Sequence, residues 1–349
     1  MVNGMPIAPA PASPGGGVPI SDSQHASTLD ADQEAQSRTT TIYTAKGGVG
    51  KTTATSHLSG LIAQVPDYRV LAIDLDPQGN LGDDFGLGER GDEGRALTQA
   101  VVMGNPLQPI LNVRPDLDLV PGGEELRVLS GYLSQQAMTK RDPNLPFGAL
   151  LRSLRPIAGD YDFIFIDCPP GDEVMHQMAL GASRWVLIPT RTDISSRRAV
   201  RDVAAQFAIA RAAKAPHPLD LLGVVLTGVT SSASALRREA QAAIKEDLGS
   251  EDLLMNTVIR YAESIAVGAR NRGLLVPELV NAAATAEPWW QAAKEGRPVS
   301  EMTRYRSTSG DGLTEDWYAL AAEVLGRIGE AETSEREAAH QNDIQEARA

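Results

Sequence analysis

The sequence predicts an α/β fold: a single large domain built on a mostly parallel, twisted sheet with helices on both faces. Three observations carry that prediction. From Arg38 onward, short β-rich runs alternate with helix-length segments, the order that βαβ crossovers produce. The chain is 349 residues long and 42% hydrophobic, enough apolar side chain to cover both faces of a sheet. The three most unusual local motifs each fall at the carboxyl end of a predicted strand, where open α/β sheets bind ligands.

Taken in order, residues 1–37 are rich in Pro, Gly, Ala and Ser and poor in large apolar side chains. Such a stretch buries too little surface to offset its ordering entropy, so it reads as a disordered extension. The strands follow as "TTTIYTA" (39–45), "RVLAIDLD" (69–76), "LDLVPGG" (117–123), "YDFIFIDCPP" (161–170), "RWVLIPT" (184–190), "LLGVVLTGV" (221–229) and "NTVIR" (256–260). Helices are expected over 51–64, 147–155, 195–213 and 234–247. Residues 281–312, with the pair Trp289 and Trp290, read as an irregular insertion. "TEDWYALAAEVLGRI" (314–328) reads as a closing amphipathic helix with Trp317, Leu320, Val324 and Ile328 on one stripe. Residues 329–349 read as a frayed helix or an acidic tail, and 38–328 as the domain proper.

The formal net charge of −13 excludes a generally basic coat for nucleic acid but not a local patch. Much of that charge sits in the ends: residues 1–38 carry four acids against one base, and 329–349 six against two. The single cysteine, Cys168, excludes an intrachain disulfide framework and CxxC metal sites and suits a reducing compartment. No apolar run reaches the roughly 20 residues of a membrane span, and the N-terminus has neither the basic start nor the apolar core of a secretory signal. A cytoplasmic protein is expected.

"KGGVGKTT" (46–53) lies between a predicted strand and a predicted helix. Gly47, Gly48 and Gly50 let the backbone wrap a phosphate, with N–H groups pointing inward at the helix N-terminus. Lys51 then reaches the terminal phosphates and the Thr52 hydroxyl reaches Mg²⁺, with Val49 and Thr53 completing the loop. This identifies the fold more narrowly as a P-loop NTPase. Lys46 is surplus to that pattern, and Ala45 stands where the pattern has glycine. "DLDPQGN" (74–80) closes the next strand with Asp74 and Asp76; an aspartate there positions an attacking water or supports the magnesium shell, or else forms a turn. "FIFIDCPPG" (163–171) delivers Asp167 from a buried strand towards the metal, with Gly171 allowing close backbone approach. The five histidines show no metal-like grouping, and His57, on the helix after the loop, reads as packed or solvated.

Together "KGGVGKTT", "DLDPQGN" and "IDCPPG" resemble the deviant Walker A ATPases, most closely the ParA/Soj partition proteins, over about residues 38–328. The resemblance implies ATP and Mg²⁺ as cofactors and a homodimer that sandwiches two nucleotides. It implies that Lys46 crosses the interface to the partner's phosphates, that Asp76 is needed for hydrolysis, and that Asp74 and Asp167 serve the Mg²⁺ site. It further implies sequence-independent DNA binding by the ATP dimer, nucleoid association, and a ParB-like partner that stimulates slow hydrolysis. The candidate DNA contacts are Arg237, Arg238, Arg260, Arg270 and Arg272, with a second basic face at Arg197, Arg198 and Arg201. Cysteine-ligated iron–sulfur relatives are excluded by the lone cysteine. A MinD-like membrane helix is not expected from the acidic end. "VIRYAESIAVGARNRG" (258–273) departs from the family pattern. Two other readings stand beside partition: an orphan ATPase that positions a protein cargo, and a dethiobiotin synthetase-like enzyme, for which no substrate constellation is visible.

Overall fold

The computed structural model describes residues 22–192, 207, 209–210, 212–213, 219–230, 238–239, 241–242, 246, 252–287, 289–296, 302, 305 and 308–346. Its elements run α1 (Asp22–Ser37), β1 (Thr39–Ile42), α2 (Lys51–Ile62), β2 (Val70–Asp74), α3 (Asn80–Asp84), α4 (Arg95–Met103), β3 (Ile110–Arg114) and β4 (Leu117–Val120). They continue through α5 (Leu126–Lys140), α6 (Ala149–Ala158), β5 (Phe163–Asp167), α7 (Glu173–Ala182), β6 (Trp185–Thr190), β7 (Asp220–Val229) and β8 (Leu254–Arg260). The last are α8 (Glu263–Arg270), α9 (Val276–Thr285), α10 (Trp289–Lys294) and α11 (Thr308–Glu346).

The strands form one sheet in the order β3-β4-β2-β5-β1-β6-β7-β8, parallel except where β3 pairs antiparallel with β4. The central strands are buried on both faces, as in a doubly covered sheet, and all but the threonine-rich β1 are mainly apolar. Along β5, Ile164 and Ile166 join one core and Phe165 the other; along β6, Val186 and Ile188 oppose Trp185 and Leu187. The first core packs α4, α5, α6 and α7, and the second packs α2, α9 and α11. The alternation follows from successive side chains pointing to opposite faces. Because β2, β5 and β1 are adjacent, their carboxyl ends lie side by side at the centre of the sheet.

Several expectations are met and several corrected. The stripe Trp317, Leu320, Val324 and Ile328 is buried, and the helix that carries it runs on to Glu346, so of the two readings of the acidic end the helical one holds through residue 346. Arg184, itself buried, forms a bidentate pair with Glu335 and holds that extension down. The disordered extension is corrected from residue 22. Asp22–Ser37 is a helix whose end is docked, with Ala35 and Gln36 buried, Gln36 Nε2 donating to Gly181 O at 2.7 Å, and Arg155 pairing with Asp32. Residues 1–21 lie outside the described residues. The segment 281–312 is not irregular throughout, since it contains the end of α9, all of α10 and the start of α11. The edge strand β3 was not expected; it is short, half exposed and interrupted by Asn112 at φ 52°.

The other edge is sealed by side chains. Glu323 of α11 accepts from the backbone N–H groups of Asn256 (2.8 Å) and Thr257 (2.9 Å), and Asp316 accepts from Arg260 N at 2.9 Å. Carboxylates thus occupy donors that would otherwise template another strand.

Candidate functional site

The loop after β1 begins the site. Gly48 and Gly50 sit at φ 72° and 90°, the left-handed region that side chains disfavour, and Gly50 passes directly into α2. The first N–H groups of that helix therefore face the loop's concavity, where an anion is favoured. Lys51 is folded back and buried, its Nζ donating to Lys46 O at 3.0 Å. Burial pushes its ammonium value down, opposed by the charges of Asp167, Cys168 and Asp76. Val49 is fixed from the far side: Thr227 at the end of β7 donates its hydroxyl to Val49 O at 2.7 Å.

Asp74 and Asp167 are register partners at the ends of β2 and β5, and neither is accessible to solvent. Burial and the neighbouring carboxylate push Asp74 well up. Asp167 is pushed to about 7, chiefly by burial, against hydrogen bonds from Thr52 and Thr55 and the charge of Lys51. Two buried carboxyls side by side favour a shared proton or a cation. Asp74 accepts from Asp76 N (2.8 Å) and Leu81 N (3.2 Å), and so folds the loop after β2. Among the described residues, Asp167 Oδ2 has no hydrogen-bond partner. That orphaned oxygen, beside the hydroxyl of Thr52, fits a divalent cation. Among the described residues no group of three His, Cys, Asp or Glu could hold a metal, so the remaining ligands would come from phosphate and water.

Asp76 is buried and accepts from Gln78 N at 2.9 Å. It lines an open depression of about 670 Å³ together with Pro169, Pro170, Gly171 and Arg127. The "PGG" after β4, unremarked as a site in the sequence, presses on both aspartates. A Cβ on Gly122 would lie 2.6 Å from Asp76 O and 2.8 Å from Asp74 Cγ.

Beside the loop is a cavity of about 460 Å³, reached from Val49, Gly50 and Thr53, rimmed by Gly228 and Tyr261 and floored by Trp317. Its size suits a small ligand. These residues come from five separate elements or loops, and only those of the phosphate loop are marked by a local sequence pattern.

His57 is packed rather than catalytic. Its Nε2 accepts from Val276 N at 3.0 Å, so Nδ1 carries the proton and donates to Thr53 O at 2.8 Å. The ring stacks on Trp317 with centroids 4.3 Å apart. Cys168 is buried, and burial pushes its thiol well up, which makes it inert.

Of the candidate DNA arginines, Arg260 lines the cavity beside the phosphate loop, and three are engaged within the chain. Arg260 pairs with Asp316 through two hydrogen bonds of 2.7 and 2.8 Å; Arg270 pairs with Asp84 at 2.5 Å; Arg272 lies over the Tyr305 ring. Arg238 is exposed. Arg237 and the second basic face, Arg197, Arg198 and Arg201, lie outside the described residues.

Comparison with known proteins gives a consistent picture. Residues 37–215 match the AAA domain family. The chromosome partitioning protein ParA of Myxococcus xanthus is 31% identical over 195 residues, covering 55% of this chain and 65% of that protein, just short of two thirds of its length. The ParA of Caulobacter vibrioides is 28% identical over 238 residues, covering 66% of this chain and 85% of that one. In structure, the ATP complex of Cyanothece McdA superposes with a TM-score of 0.60 at 21% identity, over 83% of this chain and 96% of that one.

Proposed function

The chain belongs to the AAA-domain family of ParA/MinD-type P-loop ATPases, and from that membership we propose a nucleotide-operated switch for partitioning DNA. ATP is the cofactor: Gly47–Thr53 would hold its phosphates, and Thr52, Asp74 and Asp167 would hold Mg²⁺. The observation that carries this reading is the buried Asp167 Oδ2, without a hydrogen-bond partner among the described residues, beside Lys51 and the phosphate loop.

The chain's own groups then have distinct tasks. Lys51 neutralises phosphate charge from within its subunit. Mg²⁺, when bound, screens the charge that develops on the phosphate oxygens. Asp76 orients the attacking water at the mouth of the loop. Lys46 serves the phosphates of a second copy, so that triphosphate and dimer stabilise each other. The ATP dimer binds DNA without sequence preference, at the nucleoid of the cytoplasm, and a ParB-like partner stimulates hydrolysis and release. The ATPase domain spans 38–328.

The test uses Asp76→Ala, which arrests hydrolysis, in DNA co-sedimentation with ATP at low salt. The arrested dimer is expected to carry DNA down; failure to do so removes partition as the function. In the same assay Lys46→Ala is expected to bind ATP as a monomer and lose dimerisation. A second reading, a switch that positions a protein cargo, is favoured by one observation: Arg260 and Arg270 are already paired within the chain. It expects an ATP dimer indifferent to DNA.

A further inference from the structure

Pro169, Pro170 and Gly171 follow β5 and form one wall of the depression that Asp76 lines. A proline has no backbone N–H, so neither proline can donate to fasten this wall. Its far end is capped, since Asp172 accepts from Met175 N and Ser130 Oγ, both at 3.1 Å, and starts α7. Its near end is held by His176, one turn into α7, whose Nε2 lies 2.8 Å from Pro169 O. A carbonyl only accepts, so Nε2 carries the proton and Nδ1 is left as an acceptor. Burial lowers the value of this imidazole and so favours the neutral ring.

Behind His176 stands Tyr43, buried where β1 leads into the phosphate loop and fixed to β6 by its N–H, which donates to Leu187 O at 3.0 Å. The two rings meet edge to face with centroids 4.8 Å apart, and the Tyr43 hydroxyl lies 3.5 Å from Nδ1. In front, the wall touches the phosphate loop itself. A Cβ on Gly47 would lie 3.8 Å from Pro170 Cβ and 3.9 Å from its Cγ, an ordinary packing distance.

We propose that His176 is a positioning residue for hydrolysis: braced by Tyr43, it sets the distance between the wall 169–171 and the phosphate loop, and so fixes the space in which Asp76 orients water. This rests on the ATPase reading above and adds to it a pair of residues outside its three motifs. His57 is the contrast, since its hydrogen bonds tie α2 to α9 and reach no part of the depression. A histidine at 176 that only filled space would act through overall stability and would not separate nucleotide binding from turnover.

Steady-state phosphate release by the full-length protein, with MgADP affinity from calorimetry, makes that separation. His176→Phe keeps a ring against Tyr43 and removes the donor to Pro169 O. Its kcat is expected to fall about tenfold, with KM for MgATP and affinity for MgADP within about twofold of the wild type. His176→Gln presents an amide N–H in place of Nε2 and is expected to keep kcat within about threefold. An unaltered kcat in His176→Phe, or equal losses in the two variants, overturns the proposal and leaves the ATPase reading standing. One measurement needs no substitution. The imidazole nitrogen spectrum of the wild-type protein is expected to show His176 as the neutral Nε2–H tautomer; an Nδ1–H tautomer overturns the proposal even if the variants do not fold. A wild-type protein that neither binds nor hydrolyses MgATP removes the ATPase reading and this one together.

Discussion

His57 offers a measurement of how the closing helix is locked to the phosphate-loop helix. Its ring has both nitrogens engaged in the neutral form, Nδ1 as donor to Thr53 O and Nε2 as acceptor from Val276 N, with Trp317 across its face. Burial lowers its value from an ordinary 6.5 to about 4, although the hydrogen bond to Thr53 and the charges of Asp84 and Glu278 pull the other way. Protonation would place a donor against the Val276 N–H. The unfolded chain therefore binds more protons than the folded one between these two values. The stability this histidine contributes is fully present above pH 6.5 and is lost as pH falls towards 4. At about 1.4 kcal/mol per pH unit, lowering the pH from 7.5 to 5.5 removes about 1.3 kcal/mol, and full protonation removes about 3 kcal/mol.

The perturbation is His57→Asn. The amide can still donate to Thr53 O but does not titrate, and it gives up the stack on Trp317. The variant is less stable at every pH; the readout is how its deficit changes. Asp167, with a raised value, contributes in the opposite sense, its stabilisation falling as pH rises through about 7, but it is present in both proteins and cancels in the difference. Urea midpoints at pH 7.5, 6.5 and 5.5, converted with a common slope, are expected to show the deficit of His57→Asn shrinking by about 1.3 kcal/mol across that range. Two curves that stay parallel would refute a neutral, doubly bonded His57.

Three further outcomes are expected. Gly122→Ala forces a Cβ to within 2.6 Å of Asp76 O, displacing the loop from Asp74 to Asn80; steady-state phosphate release is expected to fall at least about tenfold with MgATP binding retained. Thr227→Val removes the hydroxyl that holds Val49 O and leaves that carbonyl short of a donor; a loss of about 1–2 kcal/mol in urea stability and weaker MgATP binding are expected. Glu323→Ala frees the edge N–H groups of Asn256 and Thr257. Those hydrogen bonds and the charge of Arg327 outweigh burial and hold the Glu323 carboxyl below its ordinary 4.5, so its contribution is present above that value and lost as acid protonates the folded group. The variant's deficit, about 1–2 kcal/mol at pH 7, is expected to shrink below pH 4.

What was legible in the sequence divides along a physical line. The phosphate loop, Asp74, Asp76 and Asp167 were readable because each rests on a local requirement. Positive φ needs glycine at 48 and 50, and a buried strand must end where its carboxylate is wanted. The stripe from Trp317 to Ile328 was readable for the same reason, since helical periodicity is local. The docked end of α1 was not, because its hold depends on partners far away in sequence: Gln36 on Gly181, and Asp32 on Arg155. Its own residues, read alone, are those of a solvated segment. The cavity beside the loop was illegible in the strongest sense, as Gly50, Gly228, Tyr261 and Trp317 meet only once the sheet is ordered. The arginines fall between these cases. Their charge was visible in the chain, but not that Asp316 and Asp84 would already be holding two of them. A charge read from sequence states what a residue can attract, and only the fold states whether that attraction has been spent inside the molecule. For this chain that difference decides between two functions. If Arg260 and Arg270 must leave Asp316 and Asp84 to reach phosphate, DNA binding carries the cost of two broken ion pairs. Variants Asp316→Asn and Asp84→Asn should then bind DNA more tightly than the wild type in the presence of ATP.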